Sequence, residues 1–441
     1  MSKKSIIYAL AALICVSVFA PIVWAEETKE PVTLTVLNYF DLTAPNASRE
    51  ITEVWEEFEK RNPHITVIRE DLFNEPFHHK TEAYAAAGNL PDVMFMWPGG
   101  RSTTLHTKGL VKDLGSLVEE VRDEFSEAAL MPQTGGYLAM IPTTITASHV
   151  MYVNKGMLDE MGLEIPTTYE ELVAMVPTLR QAGKNVVLMG AQDDWVIQSC
   201  LFSMIVGRLV GDEKMDEIIA GEAKFTDPEF VNALKFYRRL YDDGILNRRI
   251  MNTTYGEVNG LFAAGRAPFL IDGDWKTGNF LTDPTTGEAL IPVDKQDQFV
   301  ITVFPAIPGE IAENAMSTSI VAGVGYGMNA NIPAGSAKEE AAWELLKWLN
   351  GVEAQTLRLE TGGTTPSRVD VTSDNLEPLV QERLRVYGKI GNGTYVLDNV
   401  LAGDVYGPLN VGLQEIGLEL ATPEEVAEKV QVAFDNWKAD Q

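Results

Sequence analysis

Short apolar strands separated by amphipathic helices open this chain, and that alternation confines it to folds built on a parallel sheet. Residues 32–37 alternate β-branched and apolar side chains, as a strand does. Ile51, Val54, Trp55 and Phe58 then recur at helical spacing, Asn62 and Pro63 break that helix, and residues 64–68 form a second strand. A helix over about 80–87 ends at Gly88, and residues 91–97 supply a third strand. Strand–helix–strand repeated at this pitch requires helical crossovers and parallel pairing. The pattern restarts after residues 138–153, where Pro142 and the Thr-rich run 143–146 interrupt it. A helix over 154–161 closes at Gly162, and residues 166–172 open another with Thr167 or Thr168 as its cap and acids in the first turn. This second set of elements implies a second α/β domain. Residues 321–329 read as one Gly-rich strand, 338–349 as a helix carrying Trp343, Leu346 and Trp348, and 423–437 as a helix whose early acids suit its dipole.

The first 25 residues are of another kind. Lys3 and Lys4 precede an uncharged run over 6–20, and Val23 and Ala25 form a small-x-small site before Glu26. These features specify a secretory signal peptide cleaved after Ala25. Ile14 precedes Cys15 where a lipid-attachment signal needs a small residue, so the sequence is not expected to encode a lipoprotein. Loss of Lys3 and Lys4 from the 35 basic residues leaves the 63 acidic ones in excess by 30. Such a surface repels nucleic acid and anionic lipid. Cys200 is then the one remaining cysteine, so stability must come from burial, for which an apolar content of 45% suffices in two domains.

Residues 260–275 carry the most chemistry. A helix end stops at Gly265, an apolar strand follows over 267–271, and the loop beyond it holds Asp272, Asp274 and Trp275. A buried strand delivers such a loop to the carboxyl edge of a sheet, where open α/β proteins bind ligands. Carboxylates accept hydrogen bonds from hydroxyls, and an indole face stacks on the C–H face of a sugar ring. A core Trp beside a solvated loop is the alternative.

The order of these elements resembles the family of extracellular solute-binding proteins of ABC importers, in its maltose-binding-protein-like sugar-binding branch. The markers are residues 32–37, 88–93, Ile141 with Pro142, 152–155, 166–172, 262–275, 304–308, and 343–355 followed by Pro366 and Ser367. The resemblance implies a two-lobed α/β periplasmic-binding-protein-like fold of type II, with a ligand cleft between lobes joined by a hinge of about three crossings. It places residues 26–147 and 322–348 in the first lobe and 148–321 and 349–441 in the second. It also implies a monomer that captures a mono- or oligosaccharide and delivers it to a membrane permease, from an exported, periplasmic location. A secreted carbohydrate-active enzyme, or a binder of a non-sugar solute on the same fold, is the alternative.

On that resemblance the ligand contacts fall at Tyr39 and Asp41 after the first strand and at Trp97 after the third, where relatives place an acidic residue. Thr146 and Ser148 lie on a hinge crossing, Asp194 and Trp195 in a Gly-bounded loop beside Asp193, and Asp274 and Trp275 in the loop described above. Tyr326 on the returning hinge strand and Arg368 in a late loop complete the set. His149 is expected to be an interior histidine, and His78 with His79 a solvated pair. Neighbouring acids in one loop do not fix the carboxyl separation a glycosidase needs. No catalytic triad or metal-ligand spacing emerges, so no cofactor, metal or catalytic residue is expected.

Overall fold

A computed structural model describes residues 29–44, 46–130, 136–362, 365–390 and 393–440; the expected leader lies outside them. In chain order the strands are β1 Val32–Tyr39, β2 Ile65–Leu72, β3 Val93–Met96, β4 Met140–Pro142, β5 Thr144–Ala147, β6 Val150–Asn154, β7 Val187–Leu188, β8 Phe269–Asp272, β9 Phe299–Thr302, β10 Thr318–Ala322, β11 Gly325–Met328, β12 Thr365–Pro366 and β13 Gly393–Thr394. They form three sheets, in the orders β2-β1-β3-β11-β4, β7-β8-β6-β9 and β12-β5-β10-β13.

The first sheet follows from the sequence pattern. β1 pairs in parallel with β2, Val32 opposite Ile65, and with β3, Val36 opposite Val93. The helical run between β1 and β2 buries Val54, Trp55 and Phe58 against Leu34 and Val36, and the helix Ala337–Leu349 covers the same core. This is the parallel pairing with helical crossovers that the alternation demands. The second sheet is mixed: β7 and β8 are parallel, whereas β6 runs antiparallel to β8 and β9. Its core takes in the helices Tyr169–Gln181, Pro228–Asp242, Gly403–Gly417 and Pro423–Ala439. Thr168 caps the first of these helices, its hydroxyl accepting from the Glu171 amide while Glu171 reaches back to the cap. The chain is thus a two-lobed α/β protein whose sheets each carry apolar clusters on both faces, Val93 and Met94 of the first sheet and Ile271 and Leu270 of the second belonging to different clusters.

The third sheet lies where the chain passes between lobes. β4 and β5 are separated by Thr143 alone, and β10 and β11 by residues 323–324. The single strand expected over 321–329 is therefore two strands that belong to different sheets. A Cβ at Gly323 would fall 2.5 Å from the Thr144 carbonyl oxygen, so glycine permits this close crossing. The helix Val352–Glu360, which the sequence reading groups with the second lobe, packs on both: Ala354 and Leu357 join the core of the first lobe and Leu359 a cluster of the second.

Candidate functional site

A cavity of about 370 Å³ opens where the three sheets meet. Its wall on the first lobe is aromatic. Tyr39 ends β1, Phe95 lies in β3, Trp97 follows β3 and Tyr326 lies in β11. The rings hold one another: Tyr39 meets Trp97 edge-on at 5.0 Å and stacks on Phe95 at 5.5 Å, and Phe95 meets Tyr326 edge-on at 5.3 Å. These edge-to-face and offset contacts suit the ring quadrupoles. The buried Tyr326 hydroxyl donates to Asn38 Oδ1 at 2.6 Å, and burial is the main force pushing the Tyr39 phenol up to about 12.

The opposing wall is built from Trp195, Tyr255 and Trp275. Trp195 starts the helix Trp195–Ile197, and Trp275 sits in the 3-10 turn Asp274–Phe280 directly after β8. A Cβ at Gly273 would fall 2.3 Å from the Trp275 ring, so glycine lets the indole fold back over its own loop. The indole N–H of Trp275 donates to the Tyr255 hydroxyl at 2.7 Å, and Trp195 lies 5.2 Å from the Tyr255 ring. Behind this wall the Lys276 ammonium donates to the Tyr255 carbonyl at 2.6 Å and lies 3.1 Å from its ring centroid. It also lies 3.4 Å from Asp272, with both side chains fully buried. Burial pushes the Asp272 carboxyl up and the Lys276 amine down, each opposed by the partner's charge.

The hinge strand supplies hydroxyls at Thr143, Thr144, Thr146 and Ser148. Thr143 and Thr144 donate to the carbonyls of Val324 and Thr365, and Ser148 donates to that of Ser319. The hydroxyls of Thr146 and Ser199, which also lines the cavity, make no hydrogen bond among the described residues.

Two ion pairs complete the lining. The Arg358 guanidinium grips the Glu50 carboxylate, its Nε donating to both oxygens at 3.2 Å. Arg101 Nε donates to Asp398 Oδ2 at 2.9 Å. The helical runs bearing Glu50 and Ser199 both contain π-type turns, over Glu50–Glu56 and Gln198–Phe202. Such turns rotate the residues they contain relative to a regular helix and are frequent at functional sites.

Of the expected contacts, Tyr39, Trp97, Thr146, Ser148, Trp195, Trp275 and Tyr326 line this cavity. The acids do not. Asp41 caps its own turn, accepting from the Thr43 amide and hydroxyl, and lines an adjoining pocket with Asn74 and Asp193. Asp194 is outside the lining residues, and burial raises its carboxyl. Asp274 is 1% exposed, lies outside the cavity lining and accepts from the Tyr387 hydroxyl at 2.6 Å. Arg368 is committed to Glu124 and Asp370, away from the cavity. His149 is the expected interior histidine, its Nδ1 donating to the Cys200 carbonyl. His78 is not part of a solvated pair: its ring packs on Trp97 at 4.8 Å and its Nε2 accepts from Arg101 at 2.9 Å. Among the described residues no group of three or more His, Cys, Asp or Glu is placed to hold a metal ion.

Missing from the sequence reading were Phe95, Tyr255, Arg101, Glu50, Arg358 and Asp398. Phe95 was legible as an alternate position on the third strand, facing the same way as Trp97 two residues on. The charged residues carried no local signal.

The sequence pattern of bacterial extracellular solute-binding proteins matches residues 44–356. An ABC transporter extracellular-binding protein of Pyrococcus horikoshii is 22% identical over 313 residues, which is 68% of this chain and 63% of the relative, so the match spans less than two thirds of that relative's length. A multiple sugar-binding protein of Streptococcus mutans is 21% identical over 75% of this chain and 74% of its own. The solved structure of a chitin oligosaccharide binding protein superposes with a TM-score of 0.80 at 23% identity, covering 92% of this chain and 99% of the other.

Proposed function

Because this chain belongs to the family of bacterial extracellular solute-binding proteins, we propose that its cavity captures a small carbohydrate and that the protein delivers it to the permease of an ABC importer. The observation that carries this reading is the facing of two aromatic walls, one from each lobe, across a floor of hydroxyls. Rings stack on the C–H faces of a sugar, and the free Thr146 and Ser199 hydroxyls accept or donate at its rim. The names of the Streptococcus mutans relative and of the chitin oligosaccharide binder favour the same ligand class. A volume near the lower end of the range for ligand sites, about 300–1,000 Å³, favours one or two sugar rings.

Lobe closure is the proposed signal to the permease. In this reading the lobes divide near residues 143–147, 322–325 and, for the third crossing, along the helix Val352–Glu360, whose Ala354 and Leu357 pack in the first lobe's core and whose Leu359 packs with the second lobe. The protein is a monomeric binder and not an enzyme in this reading. Glu50 and Asp398, the carboxylates in the lining, are each held by an arginine, so neither is free as an acid or nucleophile. Export with cleavage after Ala25, into the periplasm and without lipid attachment, belongs to the same proposal. The acidic surface disfavours nucleic acid as a partner.

A thermal-shift screen over neutral mono- and oligosaccharides tests the reading. A saturable rise in melting temperature with at least one of them, without product formation, is the expected result. Turnover of a glycoside would favour the enzyme, and a rise with non-sugar solutes alone would favour the other alternative. Intact-mass measurement of the exported protein should give a chain beginning at Glu26.

A further inference from the structure

The loop after β3 lies against the segment 398–401 too closely for side chains. A Cβ at Gly99 would fall 1.9 Å from the Asn399 carbonyl oxygen, and one at Gly100 2.1 Å from that of Leu401. Arg101 belongs to this loop of the first lobe. Asp398 belongs to the helix Leu397–Val400, whose Leu397 is part of the second lobe's core. Their ion pair therefore crosses the cleft, and it is 10% and 5% exposed on its two sides. Burial opposes the charge on Arg101, but the Asp398 carboxylate holds the guanidinium above its ordinary value. His78 accepts a further hydrogen bond from the same guanidinium and steadies it from the first lobe. The cavity's other charges, Glu50 and Arg358, neutralise each other, and the Arg358 guanidinium also donates to the Leu349 carbonyl of the first lobe.

A bond of this kind exists only when the lobes are together. Separation would expose both charges to water, so the pair contributes to the closed state alone, and only such a differential contact shifts an open–closed equilibrium. It also leaves the lining with no unpaired charge. A charged ligand would find no countercharge without breaking a buried pair, which is costly.

We propose that Arg101 and Asp398 form a clasp that closes the cleft and restricts the cavity to uncharged ligands. The specificity half of this inference rests on the carbohydrate reading; the closure half does not. Small-angle scattering on the ligand-free protein, on Asp398→Asn and on the double variant Arg101→Met/Asp398→Leu tests closure. Both variants should show a larger radius of gyration than the parent, the double variant without leaving a lone buried charge. Equal radii across all three, with near-ultraviolet circular dichroism showing each variant folded, overturn the clasp. Specificity is read by thermal shift with neutral mono- and disaccharides and with glucuronic, galacturonic and N-acetylneuraminic acids. The parent should respond only to neutral members, and Asp398→Asn should gain a response to the acids through the released Arg101, which the double variant should not. Stabilisation of the parent by an acid overturns the specificity half. If no saccharide of either kind stabilises the parent, the carbohydrate reading fails while the scattering comparison still decides the clasp.

Discussion

The two walls of the cavity present the same kind of surface but are held in place by different forces. Tyr39, Phe95, Trp97 and Tyr326 on the first lobe interlock ring against ring, with Phe77 and His78 packed behind them. Trp195, Tyr255 and Trp275 on the second are tied by a hydrogen bond between Trp275 and Tyr255 and by Lys276, which is itself paired with the buried Asp272. An apolar interlock is redundant, since loss of one ring leaves the others in contact. A buried polar network is not, because each member's desolvation is offset only by its partners. The second wall should therefore be the more fragile to single substitutions.

The largest expected effect is at Lys276. Lys276→Met leaves the Asp272 carboxylate buried without its cation and should destabilise the protein by about 3–5 kcal/mol, read by urea unfolding. Lys276→Met/Asp272→Leu should recover most of that loss, and equal stability of both variants would show that the pair does not support the wall. Next in size is a contrast between two indoles. Trp275→Phe retains a ring but releases the Tyr255 hydroxyl, and should weaken saccharide binding by about 1 kcal/mol, roughly fivefold, beyond the effect of Trp97→Phe. Titration calorimetry with the same saccharide reads both, and equal losses would remove the distinction between the walls.

Acid should act on both sides. In the folded protein burial is the largest force lowering His78 and His149, each to about 3, whereas an unfolded chain takes up those protons near 6.5. Between these values the unfolded state binds more protons, so the stability these two histidines contribute is full above about pH 6.5 and declines as pH falls toward 3. His149→Asn should flatten the decline by about 1.4 kcal/mol per pH unit, followed by melting temperature across that window. A slope unchanged by the substitution would mean His149 is protonated in the fold. The smallest effect belongs to Arg368→Gln. Its acidic partners are 42% and 47% exposed, so stability should change by about 1 kcal/mol or less and saccharide affinity not at all.

Much of the fold was legible in the sequence because period and punctuation are local. The β1 alternation, the Gly265 turn with its φ of 65° and the Thr168 capping box are each written within a few residues. Part of the aromatic lining was legible for a related reason: Tyr39 and Trp97 lie at the ends of parallel strands, where such sheets gather their loops, whereas Phe95 and Tyr255 were missed. Asp274 shows where this logic stops. It shares a loop with Trp275, but the 3-10 turn sends adjacent side chains in different directions, one into the cavity and one under the hinge toward Tyr387. The charged pairs had no local signature, since Arg101 and Asp398 are separated by 297 residues and Glu50 and Arg358 by 308. Partners that distant are chosen by the packing of whole lobes, which a reading of periodicity does not reach.

On the proposed function, a small saccharide is held between the two walls. The most direct test is a crystal structure of the protein with the saccharide that raises its melting temperature most. A sugar ring should lie in the interlobe cavity, in van der Waals contact with Trp97 on one lobe and Trp275 on the other, with the Arg101–Asp398 pair intact beside it. A saccharide seated outside the cavity, or touching one lobe only while the cleft stands open, would contradict it.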